Sequence, residues 1–193
     1  LERQGLFSKA IEIYHKAEKI DAAYAELSFR LANCYYQLGN YTKAKEYYIK
    51  ARDKDTLRFR PSSAINQVIK QAYERQPIEK FIELVDIEKS FAEASPEGIP
   101  GENLFYDHVH LNISGNYLAA SIILDSIINS GWISKVSSTD TSEGSTCSKT
   151  ECLKRLGYTK ADESKLLNKI IGALSKPPFT NQLNHERYLR DLK

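Results

Sequence analysis

Gly5 pairs with Gly39, Phe7 with Tyr41, Ala10 with Ala44, Tyr14 with Tyr48, Ala17 with Ala51 and Asp21 with Asp55, each across 34 residues. A period near 34 with small residues and aromatics in fixed slots marks a helix–turn–helix repeat. Each slot has a physical reason. Gly5 and Gly39 stand where two helices meet in a tight turn that can require φ > 0. Ala10, Ala17, Ala44 and Ala51 keep the second helix thin enough for close packing. Tyr14 and Tyr48 fill the space between helices. The segment from Ala22 to Leu38 reads as the first helix of the complete copy, and that from Tyr41 to Lys54 as the second.

These residues resemble the tetratricopeptide repeat. Leu31, Ala32, Tyr35, Leu38, Gly39, Tyr41, Ala44, Tyr48 and Ala51 fall in that family's slots. The first copy lacks most of its first helix, and the chain contains no Met, so it reads as a fragment or a processed product. About three repeats are usually needed for stability, so further structure is expected to cover the ends. The resemblance implies a groove lined by the first helices. On the complete copy it places Glu26, Phe29, Asn33, Tyr36 and Gln37 against a protein or peptide partner. Asn33 holds the slot of an amide that grips a peptide, but the basic partner one turn earlier is replaced by Phe29, which argues against a carboxylate clamp. The same face could instead pack on the rest of the chain.

Composition restricts the alternatives. Of 193 residues, 27 are basic and 25 acidic, a net charge of +2 that gives no electrostatic case for nucleic acid or a membrane surface. The longest apolar stretch, Tyr117 to Ile128, is broken by Ser121, Asp125 and Ser126 and is too short to span a bilayer. Many of the 12 tyrosines fall in repeat slots or on apolar helix faces, which disfavours a base-stacking surface. Cys34 packs as a small hydrophobe within the repeat. Cys147 and Cys152 have no histidine nearby to complete a zinc set, so no metal and no cofactor is expected. Three cysteines form no disulfide framework, and a reducing compartment fits slightly better; localisation is otherwise open. His15 reads as solvated on the repeat surface.

Beyond the repeats, Pro61 opens a helical stretch with Ile65, Val68, Ile69 and Ala72 on one face, a shape able to cap the stack. The run Phe81 to Val85, ending at Asp86, is short, apolar and β-branched, and reads as a buried strand. A short helix follows over Glu88 to Ala94, then a Gly/Pro loop at residues 95–101. A long apolar helix spans about Ser114 to Asn129 and stops at Gly131. This order suits the last units of an α/β sheet. Residues 134–150 are rich in Ser and Thr and read as a linker. Ser148 with Glu151, and Thr159 with Asp162, are capping-box patterns. Leu167, Ile170, Ile171 and Leu174 then mark an amphipathic helix closed by Pro177-Pro178.

Between loop and long helix lies Leu104-Phe105-Tyr106-Asp107-His108-Val109-His110. Asp107 and His110 are three apart, close enough for the carboxylate to hold one imidazole nitrogen and aim the other outward, the acid–base half of a Ser-His-Asp triad. Three readings stay open: that arm, a turn-capping Asp107 beside a buried satisfied His110, and a His108–His110 metal pair, which lacks a third ligand. With Leu111, Asn112 and Gly115, the segment resembles the last block of the SGNH (GDSL-type) hydrolases. In that family such an Asp and His complete a triad for ester or acyl hydrolysis. The tail around Pro177-Pro178-Phe179-Thr180 resembles the segment C-terminal to this block in bacterial proteins that join tetratricopeptide repeats to an SGNH-type domain. No Gly-Asp-Ser occurs in the chain, so an Asp–His arm here would be inactive by itself.

The expected fold is therefore mainly α: tetratricopeptide repeats over 1–57, the C-terminal strand and helices of an SGNH-like α/β domain over 58–133, a linker over 134–150 and a helical tail over 151–193. The expected function is a hydrolase fragment whose repeats bind a protein. The alternative is a non-enzymatic repeat scaffold that binds peptides.

Overall fold

The structure, a computed structural model, describes residues 1–57, 59–76, 83–131, 147–181 and 185–192. It is mainly α, with nine α-helices and no strand among the described residues. Two compact units divide the chain, Leu1–Ser138 and Thr139–Lys193.

The first unit begins with three helices, α1 (Phe7–Glu18), α2 (Ala25–Gln37) and α3 (Tyr41–Lys54). The turn between α2 and α3 follows from two residues. Gly39 takes φ 72°, and the N–H groups of Gly39 and Asn40 donate to the carbonyls of Tyr36 and Tyr35 at 3.0 and 2.9 Å. These two bonds make a Schellman closure, which satisfies carbonyls that the helix end would leave bare. Asn40 then caps α3, its side chain accepting the Lys43 N–H at 3.3 Å. The repeat extends to the turn after each second helix. Asp21 accepts the Ala23 N–H at 2.8 Å, and Asp55, its equivalent 34 residues on, accepts the Leu57 N–H at 2.9 Å.

The core of this unit sits between α2 and α3. Leu27, Leu31, Ala32, Tyr35, Ala44 and Tyr47 form it, with Ile11, Tyr14, Ala17, Tyr48 and Ile99 packed around. Ala44 is fully buried, so α3 lies against α2 where any longer side chain would hold it off. His15 is not simply solvated. Its Nδ1 lies 3.0 Å from Glu18 and its Nε2 3.0 Å from the Tyr35 hydroxyl, so it links α1 to α2. The stacked Tyr35 and Tyr47 rings draw the imidazole against an aromatic wall.

Three helices come next in the same unit: α4 (Ser63–Glu74), α5 (Ile87–Glu93) and α6 (Ile113–Asn129). Ser62 is the N-cap of α4, which leaves Pro61 one residue outside the helix rather than opening it. Instead of capping the repeats with its apolar face, α4 buries none of its residues and exposes Ile65, Val68 and Ile69. Polar groups hold it in place. Arg52 of α3 donates to Ser63 at 2.6 Å and to Glu88 of α5 at 2.8 Å, while Asn66 donates to Glu88 at 2.9 Å.

The expected strand is not present. Phe81 and Ile82 lie outside the described residues, and residues 83–86 pair with no neighbouring strand among those described. The acid read as a strand end is a helix cap: Asp86 accepts the Lys89 N–H at 3.0 Å and binds Lys70 of α4 at 2.6 Å. Without a ladder partner an apolar run has nowhere to place its backbone hydrogen bonds, and α5 starts instead. The described part of 58–133 is thus helices joined by loops, with one isolated antiparallel bridge between Phe105 and Leu111.

The second unit holds α7 (Lys149–Arg155), α8 (Lys160–Leu174) and α9 (His185–Asp191). Of the two capping-box patterns only the second closes as a box; at the first the Glu151 side chain turns to Arg155 at 3.0 Å. Ser148 accepts the Glu151 N–H, and Thr159 and Asp162 close a reciprocal box at the start of α8. Ile170 and Leu174 are buried on its inner face. Of the Ser/Thr-rich stretch, residues 134–146 lie outside the described residues.

Candidate functional site

The segment between α5 and α6 is a short hairpin-like loop built on α6. Asn112 caps that helix, its side chain accepting the Gly115 N–H at 2.9 Å. The Asn112 N–H reaches the Leu104 carbonyl at 2.9 Å, and the Tyr106 N–H reaches the His110 carbonyl at 2.8 Å. These bonds close the loop and bring Asp107 back toward His110. Phe105 packs edge-on against Phe91 of α5, and Leu104 is buried beneath it.

Within the loop, Asp107 does two things at once. One carboxylate oxygen accepts the backbone N–H groups of Val109 and His110 at 2.8 and 2.7 Å. The other lies 2.7 Å from Nδ1 of His110. The capping role and the imidazole contact were alternatives in the sequence; here one side chain fills both. Burial works to raise the Asp107 carboxyl, but the two backbone donors and the His110 ring outweigh it and hold it below the usual carboxylate range. The ionised carboxylate only accepts, so Nδ1 carries a proton toward it and Nε2 is the ring nitrogen turned away. Exposure separates the partners: the Asp107 side chain is 7% exposed and that of His110 66%. A buried anion thus orients an exposed imidazole, and His110 is not buried. His108 turns to the Phe59 ring, with centroids 4.9 Å apart. Burial there pushes its imidazole down, against the opposing pull of Asp107. Among the described residues no group of three His, Cys, Asp or Glu is placed to hold a metal ion.

The groove residues read from the sequence all lie on α2, partly or largely exposed. Four of them have internal partners that the sequence did not show. Glu26 is held at 2.7 Å by Arg30, which keeps its carboxyl below the ordinary range. Asn33 accepts the Tyr48 hydroxyl at 2.6 Å, and Phe29 meets the Tyr48 ring edge-on at 5.7 Å. Tyr48 is therefore part of this face, and the signal that could have found it is its repeat slot. Burial pushes its phenol up to about 12. With the Asn33 oxygen accepting that hydroxyl, the amide hydrogens are the donors its side chain can still offer. Tyr36 packs edge-on with Tyr41 at 5.3 Å, and Gln37 is exposed.

Residues 1–60 match the family model described as Tetratricopeptide repeat. The N-terminal segment is thus a tetratricopeptide repeat module, as its helix pairs and glycine turns already indicate. No curated protein and no solved structure matches the chain. Nothing in these comparisons supports an SGNH hydrolase domain. Among the described residues no helix is long and apolar enough to cross a membrane.

Proposed function

We propose that this chain is a protein-interaction module whose repeat binds an extended or helical peptide along α2. The supporting observation is the match of residues 1–60 to the tetratricopeptide repeat, in which helices of this type carry partner surfaces. On that face Phe29 and Tyr36 supply apolar contact, the Asn33 amide and Gln37 supply hydrogen bonds, and Glu26, ion-paired with Arg30, sets one edge. The experiment is peptide selection on the immobilised chain, followed by NMR mapping of the selected sequences. Amide shifts should cluster on residues 26–37, and Tyr36→Ala should weaken binding about tenfold or more, the loss of one aromatic anchor. Peptides that map elsewhere, or bind the variant equally, would overturn the assignment.

A second reading is favoured by the Asp107–His110 contact of 2.7 Å with an exposed ring. Such a pair can serve as the base of an acyl-transfer site once a serine and oxyanion donors are brought to Nε2. The chain alone should not turn over p-nitrophenyl acetate above a surface-histidine background. In a protein that also carries the serine block, His110→Ala should lower kcat by about a thousandfold or more. Activity that survives this change would remove the reading.

A further inference from the structure

Cys147 and Cys152 belong to the second unit and stand five apart across the start of α7. Their positions follow from the cap. Ser148 is the N-cap, so Cys147 precedes it and Cys152 is the fourth helical residue. These are the two positions whose side chains touch in a hydrophobic staple, which fixes the angle at which the chain enters a helix. Here both are thiols. The Cys152 Sγ lies 3.5 Å from the Cys147 carbonyl oxygen, and the Cys152 N–H donates to the Ser148 carbonyl at 2.9 Å. Both side chains are only partly buried.

We propose that Cys147 and Cys152 form a dithiol modification site that low-molecular-weight disulfides oxidise to an intrachain disulfide. The cap already holds the Cys152 sulfur against the Cys147 backbone, so the two side chains start at the same point of the helix entry. Disulfide geometry demands this proximity, which two arbitrary surface cysteines lack. Cys152, partly exposed on the first turns of α7, opens the exchange. As thiolate it attacks one sulfur of oxidised glutathione; the S–S bond breaks, and one glutathione thiolate leaves and takes up the proton lost by Cys152. Cys147 then loses its proton, attacks Cys152 in the mixed disulfide, and expels the second glutathione, which takes that proton. The protein gives up two electrons and two protons, and one oxidised glutathione becomes two reduced ones. Cys34 is excluded: it is fully buried in the repeat core, which pushes its thiol up to about 11.

The test is equilibration of the full chain in glutathione buffers of graded oxidised-to-reduced ratio, read by thiol titration and intact mass. Titratable thiols in the denatured chain should fall from the three cysteines to one, with a mass loss of two hydrogens. Tryptic digestion should then recover residues 147 and 152 in one cross-linked product. Ser148→Ala should shift the half-oxidation ratio about fivefold against the disulfide, because it removes the cap that holds the Cys152 sulfur against the Cys147 backbone. Cys147→Ser should instead trap the mixed disulfide on Cys152. Three thiols persisting at every ratio, stable adducts on the unsubstituted chain, oxidation of Cys34 first or an unchanged ratio in Ser148→Ala would each overturn the proposal.

Discussion

Gly115 is the residue on which the His110 loop is seated. A Cβ placed there would collide with the carbonyl oxygen of Leu104, the same oxygen that accepts the Asn112 N–H. Backbone cannot move aside as a flexible side chain can, so Gly115→Ala should cost about 1–3 kcal/mol, the usual penalty of overpacking. Urea unfolding measures it, and an unchanged midpoint would show that loop and α6 are not in the contact described. Asp107 allows a finer dissection. Replacement by Ala leaves two backbone N–H groups without their acceptor and should cost about 1–3 kcal/mol. Asp107→Asn keeps an oxygen for those donors and loses only the acceptor facing His110, so it should cost less than half as much. Equal losses in the two variants would mean that the ion pair, not the turn, holds the loop. The closeness of Asp107 and His110 could be read from their spacing, since a turn joins residues three apart. What the imidazole faces could not, because nothing local to 104–112 specifies it.

At the scale of elements, what could be read from sequence divides by how local its cause is. The turn at Gly39-Asn40 and the burial of Ala44 follow from slots that recur 34 residues apart, so two copies report the same geometry. The strand expected at Phe81 to Val85 had no such second witness. A short apolar run ending in an acid describes a strand end and a helix cap equally well, and only the Lys89 N–H on Asp86 separates them. The apolar stripe of α4 misled in another way. Periodicity shows that Ile65, Val68 and Ile69 share a face but not that this chain covers it. The contacts that do hold α4 and α5 to the repeat are polar and long in sequence, and no periodicity announces them. Arg52 is their centre, bonded to Asp53, Ser63 and Glu88. Arg52→Ala should therefore free α4 and α5 while sparing α2 and α3. Amide exchange should rise at least tenfold over residues 63–74 and 87–93, with core amides near Leu31 unchanged. Uniform acceleration across the unit would instead make Arg52 part of the repeat core.

At the scale of the molecule, the response to pH should come chiefly from the first unit. Glu26, Asp53, Asp86 and Asp107 are each held below the ordinary carboxylate range. Arg30 does this for Glu26 and Lys70 for Asp86. For Asp53 and Asp107 burial pulls the other way, and hydrogen bonds overcome it: those from Ser63 and Arg52 at Asp53, and those from the backbone at Asp107. A carboxyl depressed in the folded state binds fewer protons there than in the unfolded chain. Its stabilising share is complete above the unfolded value, near 4, and is lost as pH falls through the lower folded value. Buried phenols act at the other end. Tyr47 and Tyr48 are pushed up to about 12 by burial, so between about 10 and 12 the folded state binds more protons than the unfolded chain, and stability falls as pH rises. In the second unit the comparable shift among the described carboxyls is at Asp162, lowered by Thr159 on an exposed helix start, where solvent screens it. The thermal midpoint of the first unit, followed by tyrosine near-ultraviolet circular dichroism, should be level from about pH 7 to 9 and fall on both sides, the acid fall beginning with the depressed imidazole of His108 and continuing through the carboxylates. Tyr48→Phe should flatten the alkaline fall and leave the acid fall intact, because it removes the phenol and none of the carboxylates. A midpoint that rose between pH 5 and pH 3 would contradict the carboxylate arrangement, and an alkaline fall unchanged in Tyr48→Phe would remove Tyr48 as its source.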